Sequence, residues 1–490
     1  MIAIQTNRTE YRNDIAEEIR LFLGLAEIAL YEEIDPADTE LVFQLQLDRN
    51  DDRYCLSASA GGLQEQDMFD LPQDASALTR KKLEKRALKL ACYRLLKRLY
   101  PDIATPWGSL TGIRPTKLYR ELTLEGGESY ARTTFLDTFD VSEEKTNLAA
   151  RICAVQEPVI YSVKPQDIDI YVGIPFCKTK CLYCSFPSEV MGKNDRLTRY
   201  LDALKVDIAA GAALAREQNL RVRSFYMGGG TPTVLTAEQL EDILSFTLEQ
   251  YGTFGIEATV EAGRPDTIDR EKLLVLIRFG VNRISINPQT MNDETLRRVG
   301  RSHTAQDIVR VYELAREIGF KSINMDLIAG LPGESAEDMQ RSCDAIAALQ
   351  PDNLTVHSLA IKRSSLLKKE LDEHTLASAE QAEEMTRIGA RCAERMGMQP
   401  YYMYRQKYMS GNLENVGYSL PNQECVYNID MMEETASILS HGAGTMTKRV
   451  FGGENRIERL PSPKDVPTYL DKLERLTADK RAFFSGEETL

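Results

Sequence analysis

The sequence predicts an α/β fold built on a parallel sheet, and three observations carry this prediction. Apolar runs of strand length alternate with helical patterns between residues 168 and 359, an alternation typical of parallel sheets. A glycine-rich turn, Gly228-Gly229-Gly230, directly follows the second run, as in a tight strand-to-helix connection. The length of 490 residues, with 43% hydrophobic side chains, allows about three domains.

Six apolar runs are the predicted strands, at about residues 168–174, 222–227, 256–261, 283–287, 322–328 and 353–359. The clearest helical patterns between them cover residues 236–250, 304–318 and 335–348. Earlier in the chain, residues 41–47 alternate like a half-buried strand, which indicates an α+β segment of different design.

Residues 79–100 predict an amphipathic helix in this first segment. Its apolar face carries Leu83, Ala87, Leu88, Ala91, Leu95 and Leu99. Its other face carries Lys81, Lys82, Lys85, Arg86, Lys89, Arg94, Lys97 and Arg98. A solvated helix face is the favoured interpretation, and a surface for nucleic acid or an acidic electron donor is the alternative.

The net charge argues against two classes of binding partner, and the hydropathy pattern indicates the cellular compartment. The net charge of −14 argues against nonspecific binding to nucleic acid or to anionic membranes. The N-terminal residues do not resemble a signal peptide, and no apolar run reaches 18 residues, so we expect a cytoplasmic protein. Six cysteines outside the motif described next would stay reduced there and serve as small buried hydrophobic residues.

Cys177, Cys181 and Cys184 form the most informative motif, with gaps of three and two residues. An iron–sulfur cluster normally takes four protein ligands, so three cysteines in one loop leave one iron open to another molecule. Structural zinc is the alternative, although it needs a fourth ligand, and the nearest histidine in sequence, His303, is far along the chain.

The cysteine loop and the glycine turn together resemble the radical S-adenosylmethionine (SAM) superfamily. The order IPFC, CxxxCxYC, GGGTPT, TVEAGRP, RISINPQT, MDLIAGLPGE and PDNLTVHSLAI is similar to the oxygen-independent coproporphyrinogen III oxidase family, also called coproporphyrinogen dehydrogenases. The resemblance covers about residues 165–450, and YRQKYMSGNLENVGYSLPNQE resembles the HemZ-like branch.

This resemblance implies a partial (β/α)6 radical SAM barrel over residues 156–375. An N-terminal α+β accessory domain would occupy residues 1–155, and a mainly helical extension over residues 376–490 would cover the barrel opening. The implied cofactors are a [4Fe-4S] cluster on Cys177, Cys181 and Cys184, and SAM. The motif positions carry the SAM pocket over to Tyr171, Tyr183, Gly229, Gly230, Thr231, Glu261, Gln289, Arg301, Asp326, Ala360 and Met446.

The chemistry of the residues agrees with several of these implied roles. Glu261 and Asp326 each lie near the end of a predicted strand, where α/β barrels gather their chemistry. Either carboxylate could hold the ammonium, ribose or sulfonium region of SAM, and a polar residue ending a buried strand is the alternative. Arg301 offers a planar fork for a carboxylate, although by its sequence context it belongs to a solvated helix end.

The family resemblance implies haem biosynthesis: a deoxyadenosyl radical would start decarboxylation of two propionates of coproporphyrinogen III. The implied partners are this tetrapyrrole and a low-potential electron donor such as flavodoxin or ferredoxin, and we expect a monomer. Aromatic and basic residues of the C-terminal segment suit a ring bearing carboxylates, with barrel core as the alternative for each tyrosine. They are Tyr401, Tyr402, Tyr404, Tyr408, Tyr418, Tyr427, Arg405 and Lys407, with His357 and His441 equally ambiguous.

One departure from the oxidase pattern keeps other functions open. Ser185-Phe186 follows Cys184, whereas the oxidase carries a further cysteine two places on. The related HemW branch has an aromatic residue there and is implied to be a haem chaperone. A haem-binding protein of that type and a radical enzyme acting on another tetrapyrrole are therefore the two alternatives.

Overall fold

The computed structural model describes the chain except for residues 25, 34, 52, 73–74, 113, 193–194, 407–412, 452–455 and 487–490. The candidate substrate contacts Lys407 and Tyr408 lie outside the described residues. The chain divides into two compact units, Met1–Ala149 and Ala150–Leu490. None of the helices in the described part of the chain has the length and apolar character needed to cross a membrane.

The first unit contains a five-stranded sheet in the order β2-β1-β3-β4-β5. The strands are β1 (Ile2–Thr6), β2 (Ile28–Leu30), β3 (Leu41–Asn50), β4 (Arg53–Ala60) and β5 (Leu63–Asp70). The helices are α1 (Arg12–Leu23), α2 (Ala77–Leu99) and α3 (Pro115–Thr133), and α4 (Glu143–Tyr161) crosses the division at Ala149. Phe43, Leu45 and Leu47 are buried while Gln44 is exposed, which confirms the alternation predicted for β3.

Helix α2 is the predicted amphipathic helix, and its apolar face packs into the core of the first unit. Its basic face is largely paired with acids of the same unit. Lys89 Nζ lies 3.0 Å from Glu18 Oε1, and Arg98 Nη1 lies 2.7 Å from Glu65 Oε1. Several of the cations predicted for a solvated or partner-binding face are thus neutralised within the unit.

The second unit is built on an eleven-stranded sheet in the order β14-β15-β13-β12-β11-β10-β9-β6-β16-β17-β18, with a two-stranded β7-β8 pair beside it. Its strands are β6 (Asp167–Ile174), β7 (Phe176–Cys177), β8 (Glu189–Val190), β9 (Arg221–Gly229), β10 (Glu257–Gly263), β11 (Arg283–Ile286), β12 (Ser322–Ala329), β13 (Asn353–Ser358), β14 (Gln399–Tyr404), β15 (Asn415–Ser419), β16 (Ser437–His441), β17 (Met446–Phe451) and β18 (Arg456–Pro461).

The helices of the second unit are α5 (Arg196–Glu217), α6 (Ala237–Tyr251), α7 (Arg270–Arg278), α8 (Asp293–Arg298), α9 (Ala305–Ile318), α10 (Ala336–Leu349), α11 (Leu366–Lys369), α12 (Ala379–Arg395), α13 (Val426–Glu433), α14 (Val466–Asp471) and α15 (Leu473–Ser485). Capping boxes at Thr236, Thr304 and Ser335 begin α6, α9 and α10. The predicted helices are therefore confirmed to within two residues.

All six predicted strands are confirmed as the parallel series β6, β9, β10, β11, β12 and β13. Strand β6 is buried along nearly its whole length, as expected of a parallel strand covered on both faces. The described residues of the C-terminal segment contribute four helices and also five strands, which extend the sheet at both edges. Strand β16 pairs parallel with β6, and β15 pairs antiparallel with β13.

Helix α13 lies against the amino ends of the barrel strands, where buried charges hold it. Glu257, the first residue of β10, accepts the N–H of Val426 at 2.9 Å and that of Tyr427 at 3.2 Å. Arg223 Nε donates to Asp430 Oδ2 at 2.7 Å. Because both residues of this ion pair are buried, α13 is fixed at the end of the barrel opposite the cysteine loop.

Candidate cluster and cofactor site

The three motif cysteines lie just beyond the carboxyl end of β6, where Cys177 ends the short strand β7 and Cys181 and Cys184 lie on the loop that follows. Leu182 N–H donates to Val299 O at 3.0 Å, and Thr179 Oγ1 donates to Gly300 O at 2.9 Å, so the turn after α8 supports the loop. Within the loop, Cys184 N–H donates to Cys181 O at 3.1 Å. All three thiols are free and partly exposed, which leaves them accessible to an inorganic cluster.

Hydrogen-bond donors approach these cysteines from three different elements. Thr231 Oγ1 lies 3.6 Å from Cys177 Sγ, and Arg264 Nη1 lies 4.0 Å from Cys181 Sγ. Burial raises the pKa of Cys184 to about 11, and the backbone N–H of Phe186 opposes that rise. Thiols must lose their protons to bind iron, and donors directed at sulfur favour the thiolate.

Three thiols alone do not complete a structural zinc site, which needs a fourth ligand. Across the described ranges, no three Cys, His, Asp or Glu side chains converge as the ligands of one metal ion must. A [4Fe-4S] cluster distributes its cysteines over separate irons, so its ligands stand further apart than those of a single zinc. Three thiols in one loop match the ligand count of a cluster with one open iron.

The glycine turn after β9 packs directly against the strand that leads into the cysteine loop. Gly230 N–H donates to Ile174 O and Thr231 N–H donates to Phe176 O, both at 2.8 Å. A Cβ on Gly230 would lie 2.5 Å from Phe176 O, a contact that no side chain tolerates. Gly229 has φ +107°, which favours glycine. The turn thus offers a surface of bare backbone beside the thiols.

Glu261 lies under this turn and is half-buried. Its Oε1 accepts from Tyr226 Oη at 2.7 Å, and its Oε2 accepts the N–H of Gly229 at 3.2 Å. A Cβ on Gly228 would lie 2.7 Å from the Glu261 carboxyl carbon. Burial raises the pKa of Glu261 to about 7, against the opposing hydrogen bond from Tyr226. A carboxylate held by a hydroxyl and a backbone N–H, rather than by a cation, is suited to receive the ammonium group of a ligand.

Three stacked tyrosines support Glu261 from inside the barrel. The rings of Tyr226 and Tyr427 are 4.4 Å apart at 26°, and Tyr171 stacks on Tyr226 at 6.0 Å. Tyr427 belongs to α13, so this helix at the amino ends of the strands contributes a ring to the tyrosine layer below the glycine turn. Tyr171 was predicted from the motif, whereas Tyr226 and Tyr427 were not assigned to this pocket.

Polar atoms without partners mark the rim between β11 and β12. Gln289 has φ +69°, and its N–H donates to Asp326 O at 2.8 Å. Among the described residues, the buried Gln289 Oε1 and Asn287 Oδ1 find no hydrogen-bond partner. Asp326 Oδ1 accepts from Asn324 Nδ2 at 2.7 Å. Unpaired buried oxygens indicate a place where a polar ligand completes the hydrogen bonds.

Arg301 is buried, contrary to the solvated position that its sequence context indicates. Helix α8 ends at Arg298, and the turn at Gly300, with φ +77°, directs Arg301 inward. Its Nη2 donates to Asn287 O at 2.5 Å and its Nη1 donates to Tyr183 Oη at 3.3 Å. The structure therefore brings two predicted pocket residues, Tyr183 and Arg301, into direct contact beside the cysteine loop.

Arg264 and His303 also lie near the cysteine loop. The sequence did not predict a role in the site for either residue. His303 was considered only as a distant zinc ligand, yet its Nδ1 lies 3.6 Å from Asp266 Oδ1. Arg264 pairs with the same carboxylate through Nε and Nη2, at 2.9 and 3.0 Å. Arg264 stands within the motif TVEAGRP, which was the signal available for it.

The remaining predicted positions lie at strand ends of the same rim. Ala360 follows β13 by two residues, and Met446 is the first residue of β17 and 42% exposed. Their contact with SAM stays a prediction. His357 Nε2 lies 3.6 Å from Asp326 Oδ2, and its Nδ1 is 3.4 Å from Tyr404 Oη, which places this histidine at the barrel mouth.

Most C-terminal candidates for substrate contact are instead core residues. Tyr401, Tyr402, Tyr418 and Tyr427 are buried, as is Arg405. His441 is also fully buried, with Nε2 2.8 Å from Tyr251 Oη and Nδ1 3.4 Å from Asp207 Oδ1. Tyr404 keeps partial exposure beside His357. Of the described residues in this group, Tyr404 and His357 are thus the pair placed at the barrel mouth.

Comparison with known proteins supports the fold and the cofactors. The family model of the Radical SAM superfamily matches residues 171–346, which include the cysteine loop, the glycine turn and Asp326. Proteins of this superfamily use a [4Fe-4S] cluster and SAM, so these are the cofactors of the chain. The coproporphyrinogen III oxidase HemN from Escherichia coli, a radical SAM enzyme, superposes with a TM-score of 0.53 at 23% identity, covering 69% of this chain and 74% of HemN.

Two relatives from Bacillus subtilis (strain 168) differ in how much of the chain they match. The heme chaperone HemW is 33% identical over 236 residues, which are 47% of this chain and 61% of HemW. The oxygen-independent coproporphyrinogen-III oxidase-like protein HemZ is 37% identical over 469 residues, which are 94% of this chain and 93% of HemZ. The chain therefore belongs to the HemZ family of coproporphyrinogen-III oxidase-like proteins within the radical SAM superfamily.

Proposed function

We propose that this chain catalyses the oxygen-independent oxidative decarboxylation of two propionates of coproporphyrinogen III, giving protoporphyrinogen IX. The observation that carries the proposal is the half-buried carboxylate of Glu261, held by Tyr226 and Gly229 close to the three-thiol loop. This arrangement suits a cofactor whose amino acid end must lie beside an open iron. The likeness to HemZ along nearly the whole chain favours the same reaction class.

The bound cofactors would supply a deoxyadenosyl radical that removes hydrogen from the β-carbon of a propionate. The chain's own residues would bind SAM and orient it. Glu261 would take the ammonium of SAM, the backbone of Gly229 and Gly230 would lie along its amino acid end, and Gln289 would complete its hydrogen bonds with the ligand. The tyrosine layer of Tyr171, Tyr226 and Tyr427 would exclude water from below.

The substrate would enter at the barrel mouth. Tyr404 and His357 offer hydrogen bonds there to a propionate carboxylate. For each propionate, one hydrogen atom and carbon dioxide leave and one further electron passes to an acceptor. A low-potential donor such as flavodoxin or ferredoxin would reduce the cluster, and the working form would be a monomer.

A haem chaperone is the second candidate, because the HemW relative is 33% identical over 47% of this chain and Ser185-Phe186 departs from the oxidase motif. The positions of three of the four histidines argue against stable haem binding by this chain. His303 and His441 are buried, and His374 Nε2 lies 3.7 Å from Glu370 Oε2. Of the chain's four histidines, His357 is the one at the barrel mouth that could ligate haem iron. A radical reaction on another tetrapyrrole is the third candidate.

The deciding experiment is anaerobic. Protein with a reconstituted cluster receives dithionite, SAM and coproporphyrinogen III, and 5′-deoxyadenosine and protoporphyrin are quantified by chromatography. A parallel sample receives haem and is examined for a Soret band, with His357→Gln as the matched variant.

Both products together, lost in Cys181→Ala, would support the decarboxylase. Deoxyadenosine without protoporphyrin would support a radical enzyme with another tetrapyrrole substrate. Neither product, with a Soret band that His357→Gln abolishes, would replace the proposal with the haem chaperone.

A further inference from the structure

Arg264 is a buried cation that contacts the cysteine loop directly. It follows β10 by one residue and is 4% exposed. Its Nη1 donates to Thr179 Oγ1 at 2.6 Å and reaches Cys181 Sγ at 4.0 Å, the outer range of an N–H···S contact. The other edge of the guanidinium pairs with both oxygens of Asp266. The side chain is therefore held in one orientation, with one amino group directed at the loop.

The three sulfurs have donors of different kinds. Cys177 is approached by the Thr231 hydroxyl, and Cys184 by the backbone N–H of Phe186. Cys181 is approached by the guanidinium of Arg264. Of these three donors, the one at Cys181 carries a full positive charge.

Asp266 does not cancel this charge, because it is shared among several cations. Lys178 Nζ lies 3.4 Å from Asp266 Oδ2, and Arg264 engages both oxygens. Arg301 brings a second buried guanidinium to the same side of the loop, where it donates to Tyr183 Oη. The charges named here sum to an excess of positive charge next to the thiolates.

We infer that Arg264 makes the one-electron reduction of the cluster easier by directing its charged N–H at the Cys181 sulfur. Reduction adds one electron from an external reductant and leaves every protein ligand in place. A fixed positive charge and a donor to sulfur stabilise the extra negative charge and raise the reduction potential. The guanidinium keeps its charge at all working pH values, so the effect does not depend on a titration.

The effect concerns cluster reduction and goes beyond the proposed function. It applies to a decarboxylase and to a haem chaperone alike, since neither the substrate nor the radical enters the reasoning. Failure of the decarboxylation assay would therefore leave it standing, and its own failure would leave the proposed reaction untouched.

The test compares wild type with Arg264→Gln, Arg264→Lys and Arg297→Gln, each with a reconstituted cluster. Arg297 is an exposed arginine of α8, the helix whose following turn supports the same loop, so its replacement removes a nearby charge that no contact links to sulfur. All four proteins are poised at the wild-type midpoint potential, and the reduced cluster is counted by electron paramagnetic resonance against total iron.

We expect the ratio of reduced to oxidised cluster to fall about tenfold in Arg264→Gln, equivalent to about 59 mV for one electron. Arg264→Lys keeps the charge but loses the fork, so its ratio should fall by less. Arg297→Gln should stay within about twofold of wild type. An unchanged ratio in Arg264→Gln, or an equal fall in Arg297→Gln, would overturn the inference.

The iron content of each variant shows whether the substitution disrupts the cluster site itself. Should Arg264→Gln retain less than half of the wild-type iron, Arg264→Lys becomes the deciding variant. A ratio below that of wild type in Arg264→Lys, with normal iron content, would then support the inference. A ratio equal to that of wild type would contradict it.

Discussion

Lys480 Nζ lies 2.5 Å from Asp207 Oδ1, and both side chains are buried. Lys480 also donates to Ser440 O at 2.6 Å, while Asp207 Oδ2 accepts the N–H of Gly442 at 3.0 Å. The pair thus ties α15 and α5 to the turn that follows β16. Because that turn leads to Met446, one buried ion pair fixes a candidate wall of the SAM pocket.

Replacement of Lys480 by Met should destabilise the protein by about 3–5 kcal/mol, since it leaves the Asp207 carboxylate buried without its cation. Lys480 and His441 lower the pKa of Asp207 against the effect of burial. In wild type, stability from this carboxylate is present above the unfolded pKa near 3.9 and is lost as the pH falls through the lowered folded pKa. In the variant, burial raises that pKa, so the deficit should grow from pH 4 to pH 7.

Urea denaturation at several pH values measures this effect. Lys472→Met, at an exposed position of the same C-terminal segment, is the control and should change the free energy of unfolding by less than about 0.5 kcal/mol. Equal deficits in the two variants, or a deficit that is independent of pH, would contradict the expected role of the ion pair.

Glu261→Gln should alter how stability depends on pH in protein without SAM. Burial raises the folded pKa of Glu261 to about 7, so the folded state holds its proton more tightly than the unfolded state. Wild type therefore loses up to about 3 kcal/mol as the pH rises from about 4.3 to about 7, and the glutamine variant does not. Thermal unfolding from pH 5 to pH 8 measures the difference. Parallel curves for the two proteins would refute it, and Glu249→Gln, at an exposed helical position, is the control.

Gly230→Ala should weaken SAM binding, because the new Cβ would meet the backbone oxygens of Phe176 and Ile174 at 2.5 and 2.8 Å. Neither oxygen can move without displacing the start of the cysteine loop. We expect the Kd for SAM to rise at least about tenfold, which corresponds to about 1.4 kcal/mol. Anaerobic calorimetry provides the measurement. Gly112→Ala, where a Cβ meets no atom within 4 Å, should leave the Kd unchanged.

Alanine at Cys177, Cys181 or Cys184 should remove the iron and the brown colour of the reconstituted protein. Cys55→Ala, a half-buried position in β4, should retain both. Iron and sulfide analysis with the absorption spectrum supplies the result. Full iron content in any of the three loop variants would show that the ligand set is wrong, and a colourless wild type that retains zinc would restore the zinc alternative.

The parallel strands β6, β9, β10, β11, β12 and β13 could be predicted because each is a segment of strand length rich in apolar residues. Strand β16 could not, since Ser437–His441 is short and becomes a strand through pairing with β6. The pairing partner is distant in sequence, and no local pattern points to it. The same applies to β14 and β15, which extend the other edge.

In the candidate site, too, some residues could be predicted from local motifs, whereas others depend on contacts between distant parts of the chain. Motif spacing placed Gly230, Glu261 and Asp326 at strand ends of one rim. Tyr427 could not be assigned, because its contact with Tyr226 depends on how α13 enters the barrel. Arg301 was expected at a solvated helix end, and the positive φ of Gly300, which its sequence does not reveal, directs it inward.

The position of β16 has a consequence for synthesis of the chain. Ser437 pairs with Ile168, so the two strands are about 270 residues apart in sequence. At a synthesis rate of about 5–20 residues per second, one edge of β6 stays unpaired for roughly 15–50 s until β16 is made. Unpaired strand edges can pair with other chains and so promote aggregation. The nascent chain is therefore most vulnerable during that interval, and ribosome-associated chaperones would have their greatest effect on yield between the emergence of these two strands.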